Sequence, residues 1–145
     1  MTWWSVVRFL HVLGAALWVG GQLAVSLMLL PLARRLLDEE RRARMLDAVG
    51  RRFGLLTAAL FLPLQLATGL AIAWHKGVTW ASLTEPGYGR VLAAKLLLFC
   101  AVMAAAALHG WAAAHARPRL ARAMAVSALA GSIGVVLLAA ALPAT

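Results

Sequence analysis

Acidic side chains are scarce in this sequence. Five Asp and Glu stand against fourteen Lys and Arg in 145 residues, a formal net charge of +9. All five acids (Asp38, Glu39, Glu40, Asp47 and Glu85) fall between the long apolar runs. That placement argues against a proton pump driven by intramembrane carboxylates, which would carry its acids inside the spans. The single cysteine, Cys100, has no intrachain partner, so there is no disulfide framework. It reads as a small buried hydrophobe. No nucleophile elbow, zinc HExxH pair or phosphate-binding loop is present, which removes the hydrolase and nucleotide-binding classes those motifs mark.

Apolar side chain, by contrast, is abundant: 63% of residues are hydrophobic and the mean hydropathy is +0.85. A soluble domain is usually about half apolar, and a chain this short has too much surface to hide the excess. Lipid is the natural solvent for it. Four runs approach the ~20 residues a helix needs to cross a bilayer. They cover about residues 3–32, 53–74, 91–114 and 120–142. Backbone polar groups in lipid must be satisfied internally, so the runs are expected to be helices. The first reads as a span rather than a cleavable signal, because it is too long and no small-residue cleavage pattern follows it. The expected fold is all-α: a single transmembrane domain over residues 1–145, an integral membrane four-helix bundle with up-down-up-down topology.

The links between runs differ in charge. The first, "RRLLDEERRARMLDAVGRR" (residues 34–52), holds seven arginines and four acids, and the third, "HARPRLAR", holds three arginines. The second, "HKGVTWASLTEPGYGR", holds only Lys76 and Arg90 as cations beside Glu85. The positive-inside rule then puts links one and three in the cytoplasm and both termini on the extracytoplasmic side of a bacterial-type inner membrane. Basic residues clustered between apolar runs orient spans, so no nucleic-acid partner is expected despite the net charge; the lipid bilayer is. Asp38–Arg42, Glu40–Arg44 and Asp47–Arg51 are i,i+4 pairs with the acid first, so link one is expected to be helical. Link two, with Trp80, Pro86 and Tyr88, reads as an irregular loop with aromatic interface anchors.

Helical periodicity sorts the faces. His11, Gly14, Ala15, Trp18, Gln22 and Ser26 share one side of the first span. Phe61, Gln65, Thr68, Gly69 and Ile72 share one side of the second. The third aligns Lys95, Phe99, Val102, Ala106, His109, Gly110 and Ala113. The fourth offers Ser127, Ala130, Gly131 and Gly134, a packing face without ligands. Polar groups in membrane helices turn inward and small residues let helices approach, so Trp18, Gln22 and Gln65 are expected in the bundle interior. By depth, His11 and Lys95, and His75 as a further candidate, are expected in an outer polar cluster in the extracytoplasmic half of the bundle, with Arg8 and Arg90 at its rim. Lys95 either snorkels to the surface or supports an anionic group. His11 is a packed histidine, a copper ligand or an axial haem ligand. His109 is the second candidate ligand, and His115 belongs to the cytoplasmic boundary. Met28, Met103 and Met124 form no Met-x-x-Met series.

Three segments carry a family resemblance. "RFLHVLGAALWVGG" resembles the first helix of the CopD-like copper-resistance membrane proteins. "RRFGLLTAALFLPLQLATGLAIA" is similar to their second helix. "SLTEPGYGRVLAAKLLLFCAVMAAAAL", with Tyr88-Gly89-Arg90 and then Lys95, is similar to their loop into helix three. The resemblance covers most of the chain except the fourth span. It implies a four-helix unit that handles copper, by transport or tolerance, with a periplasmic copper donor or a membrane complex as partner. His109-Gly110-Trp111 stands where that family usually has an Asn-Arg ending. The layout also resembles, more distantly, the HemJ-like protoporphyrinogen oxidases, which have an early His and a Lys followed by a His on the third helix. That resemblance implies haem b and a redox role. A third reading is an accessory membrane subunit with no cofactor of its own.

Overall fold

Each apolar run folds as a helix in the computed structural model, which describes residues 2–142. Helix α1 (Trp3–Ala24) passes through a π turn (Val25–Leu29) into α2 (Leu30–Leu36). Helix α3 (Glu39–Leu56) passes through a second π turn (Thr57–Phe61) into α4 (Leu62–His75). A 3-10 turn at Ala81–Thr84 precedes α5 (Tyr88–Ala114), and α6 (Pro118–Ala141) follows. No strand occurs among the described residues.

Four continuous helical stretches, Trp3–Leu36, Glu39–His75, Tyr88–Ala114 and Pro118–Ala141, are long and apolar enough to cross a membrane. Between 6% and 11% of their most apolar windows is buried inside the protein. Leu70, Trp74, Leu97 and Leu137 are each at least 70% exposed. Water would penalise that surface by ~25 cal/mol for each Å² of it, whereas acyl chains accept it. The chain thus has the build of a multi-pass helical membrane protein.

Helix ends reach beyond the apolar runs. The first two runs extend through the charged link until they meet at Leu37 and Asp38, so link one is helical on both sides of a single break. Glu40–Arg44 and Asp47–Arg51 form their i,i+4 ion pairs, each at 3.1 Å. The expected Asp38–Arg42 pair does not form among the described residues. Asp38 is the residue before the first turn of α3, with extended backbone (ψ 166°), and its carboxylate accepts from the Arg41 amide at 2.8 Å. A carboxylate used as a helix cap faces the third residue of the helix, and Asp38 accordingly pairs with the Arg41 side chain at 3.3 Å.

The chain divides into two units, Met1–His75 and Lys76–Thr145, each built around an antiparallel pair of spans. In the first, α1 packs against α4. In the second, α5 and α6 are joined by three residues, His115 to Arg117. The turn closes by carbonyl capping: the Arg117 amide donates to Ala112 O (2.9 Å) and the His115 amide to Trp111 O (3.1 Å). Such a cap needs a left-handed residue, usually glycine, and here Ala116 takes it with φ 52°. Pro118 then opens α6, where its missing N–H costs nothing.

The α5–α6 seam is made of small residues. Val102, Ala105 and Ala112 are buried on α5, and Ala121, Ala128 and Ser132 on α6. A methyl on Gly131 would strike Val102 Cγ2, and one on Gly134 would come within 2.9 Å of Leu98 Cδ2. Val102 and His109 occupy the face expected of the third span. The rest of that face is turned by one residue, so Ala105 and Ala112 are buried in place of Ala106 and Ala113. On α6 the seam includes Gly131 and Gly134 as expected, with Ala128 and Ser132 in place of Ser127 and Ala130. Alanine on either side of a helix is equally at home in lipid, so hydropathy cannot choose between the two faces.

Candidate functional site: the polar seam of the first unit

Along α1 the positions facing α4 recur at the 3–4 spacing of packed helices that cross at a shallow angle. Val7, Gly14 and Trp18 are buried, and His11 lies between them half-buried. The matching positions are His75, Ile72, Thr68 and Gln65 on α4, and Phe61 at the end of the π turn before it. The two sets run antiparallel and meet in layers. Trp4 stacks on His75 with ring centroids 3.8 Å apart and planes 15° from parallel. Two turns deeper, His11 Nδ1 lies 2.8 Å from Thr68 Oγ1. In the next layer Gln65 Nε2 donates to the His11 carbonyl at 2.7 Å, in space that Gly14 leaves by having no side chain. Deeper again, Trp18 Nε1 donates to Thr57 Oγ1 at 3.2 Å, and Thr57 donates to Phe53 O at 2.9 Å.

From Phe61 to Phe53 the seam positions are four apart rather than alternately three and four. The π turn at Thr57–Phe61 accommodates this, since its wider i→i+5 winding holds residues four apart on one face. Thr57 thereby points at Trp18 instead of drifting toward lipid, and the Phe53 ring lies where Gly21 leaves room for it.

The His11 contact fixes a tautomer. The Thr68 hydroxyl has one proton and donates it to Leu64 O. Its oxygen therefore receives the proton of His11 Nδ1–H; the opposite arrangement would leave two oxygens facing each other with no proton between. In the neutral ring the lone pair then belongs to Nε2. His109 behaves alike: its Nδ1 lies 2.8 Å from Ala121 O, a carbonyl that can only accept. His115 Nδ1 likewise donates to Trp111 O at 2.8 Å. In all three, Nδ1 is the donor and Nε2 the basic nitrogen, the arrangement in which a second-shell oxygen orients a metal-binding imidazole.

The other expected site residues have their own settings. His11 and His75 share the first unit but occupy layers ~10 Å apart along the seam, seven residues at 1.5 Å rise. Gln22, like Gln65, is half-buried, and Arg8 is exposed. In the second unit, Lys95 is half-buried on α5. Arg90 folds back on the loop before α5, where its Nε donates to Thr84 O at 3.3 Å. That loop is tightly built: Thr79 and Ser82 exchange side-chain and backbone hydrogen bonds, and Lys76 Nζ sits 5.1 Å from the Tyr88 ring centroid. Any side chain at Gly89 would run into Ser82 O. Among the described residues, no three His, Cys, Asp or Glu side chains gather in one place.

Sequence reasoning placed His11, Trp18, Gln65 and Thr68 on the right faces. It missed Trp4 and Thr57, the partners of His75 and Trp18. A signal for Trp4 was present: Trp4, His11 and Trp18 are seven apart, as are Phe61, Thr68 and His75. Paired seven-residue repeats of polar and aromatic residues in two spans mark two faces that meet. Comparison with protein-family models, with curated proteins and with solved structures found no match for this chain.

Proposed function

We propose that this chain is a copper-handling inner-membrane protein of CopD-like type. In this reading its four spans form one up-down-up-down bundle, both termini are extracytoplasmic, and His11 is a copper ligand. One observation supports the proposal: Thr68, whose hydroxyl donates to Leu64 O, accepts from His11 Nδ1–H, which leaves the lone pair of the neutral ring on Nε2, the nitrogen that would ligate copper. Imidazole in that state suits copper. His109, oriented by Ala121 O, offers the same nitrogen in the second unit. Lys95 and Arg8 would balance anionic co-ligands, and a periplasmic copper donor or a membrane complex would be the partner.

Haem b is the second reading, and the packing favours it less. The room beside His11 that glycines would give a macrocycle is already used: Gly14 faces Gln65, and a methyl on Gly69 would lie 3.3 Å from His11 Cε1.

Elemental analysis and absorption spectroscopy of the purified full chain, after exposure to Cu(I), separate the readings. Stoichiometric copper is expected in the wild type and is lost in His11→Ala, with the helical circular dichroism retained. A Soret band that disappears with His11 would replace copper by haem b. A folded, colourless wild type that holds no copper would overturn both and leave the accessory-subunit reading.

A further inference from the structure

Two groups of arginines in this chain contrast. On α3, Arg44 and Arg51 pair with carboxylates of their own helix and Arg41 with its cap, Asp38. At the α5–α6 turn, Arg117, Arg119 and Arg122 are exposed and take part in none of the ion pairs among the described residues. The second unit holds a single acid, Glu85. It lies before the first turn of α5, and the turn lies after the last, so a helix of 27 residues separates them, ~40 Å at 1.5 Å per residue. Three cations thus stand at one end of the unit with no carboxylate side chain among its described residues in reach.

Their position is also specific. Helix α5 ends at Ala114 and α6 begins at Pro118, so the arginines sit where two apolar helices of membrane-spanning length end together, the place where basic residues of membrane proteins meet headgroups. Arg117 is held there: its guanidinium carbon lies 4.9 Å from the centroid of the Trp111 ring, on which His115 also stacks at 4.6 Å. A guanidinium held over an aromatic ring by cation–π attraction keeps N–H groups for phosphate oxygens. Arg119 and Arg122, three apart, share one side of the first turn of α6.

The geometry points to a binding site for the phosphate headgroup of an anionic phospholipid, formed by Arg117, Arg119 and Arg122 with Trp111 as its platform. The inference is independent of the role of His11. The lipid is the occupant because the cluster lies at the mouth of two spans, where a diacyl phosphate presents its charge while its tails cover the adjoining apolar helix surface.

Native mass spectrometry of the full chain, offered equal amounts of phosphatidylglycerol and phosphatidylcholine, tests it. The wild type should retain phosphatidylglycerol selectively. Retention should weaken roughly fivefold for each arginine replaced by Gln, and Arg117→Lys should recover the charge but only part of the binding. The same loss of charge at Arg41 and Arg44, which carry their own carboxylates, should change little. Circular dichroism confirms that the Gln variants are folded. Three results would overturn the site: equal retention of both lipids, loss as large in the α3 variants as in the turn variants, or displacement of the lipid by inorganic phosphate at equal concentration, which would make it a free-anion site.

Discussion

The two helical hairpins solve one problem differently. Lipid supplies no hydrophobic force between spans, so helices join through packing and interhelical hydrogen bonds. The first unit relies on polar cross-links: His11 with Thr68, Gln65 with the His11 carbonyl, and Trp18 with Thr57, closed by the Trp4–His75 stack. The second relies on close approach, with Gly131 and Gly134 against Val102 and Leu98, and has a polar tie from His109 to Ala121 O. A seam of small residues offers little chemistry beyond His109. A seam of oriented polar side chains offers more, which is why the first unit is the stronger candidate for a binding site.

This contrast can be broken at its strongest point by filling the second seam. Gly131→Val places a branched side chain against Val102, which is 2% exposed and has nowhere to move. Overpacking of this kind costs about 2–3 kcal/mol, and thermal unfolding in detergent should register it as a marked loss of stability with the first unit's cross-links intact. An unchanged melting temperature would show that α5 and α6 are not packed this closely.

The polar seam should respond less in stability and more in binding. Thr68→Val removes the acceptor of His11 Nδ1–H while keeping the shape of the side chain. Interhelical hydrogen bonds in membranes average about 0.6 kcal/mol, so melting should fall only slightly. Copper affinity should fall about 10–100-fold, the usual effect of losing a partner that orients a ligand. A variant that binds copper as the wild type does would detach Thr68 from the proposed site.

The smallest expected change is a gain. Ala116 holds a left-handed conformation at the α5–α6 turn, and Ala116→Gly relieves that strain. The relief, offset by the greater freedom of glycine in the unfolded chain, should leave a stabilisation of about 0.5–1 kcal/mol. A loss of stability instead would mean that the turn does not need the left-handed residue.

Much of the first unit was legible in the sequence because its seam is polar. His11, Trp18 and Gln65 can satisfy their side-chain donors in lipid only by turning toward another helix, and Thr68 shares a face with Gln65, so periodicity alone assigned their faces. The second unit was less legible for the opposite reason. Its seam residues are alanines and glycines, the outward faces hold alanines too, and the one-residue rotation that buries Ala105 and Ala112 leaves no trace in hydropathy. Asp38 was misassigned on similar grounds. Spacing alone offers it Arg42, while the chain break at Leu37 makes it a cap and turns it to Arg41. Trp4 was overlooked because a tryptophan near the end of a span also reads as an interface anchor.

By itself the sequence determined that the chain is helical, that it has four spans of membrane length, and that one side of the first two spans is polar. These follow from local quantities: apolar run length, the obligation to satisfy backbone groups within lipid, and the helical period. Only the tertiary structure decided which hydroxyl takes the proton of His11, which face of α5 meets α6, and that the arginines at the α5–α6 turn have no carboxylate side chain beside them among the described residues of their own unit. Those depend on which surfaces are brought within a few ångströms of each other, and the free energy of that choice lies in pairwise contacts that no single stretch of chain contains.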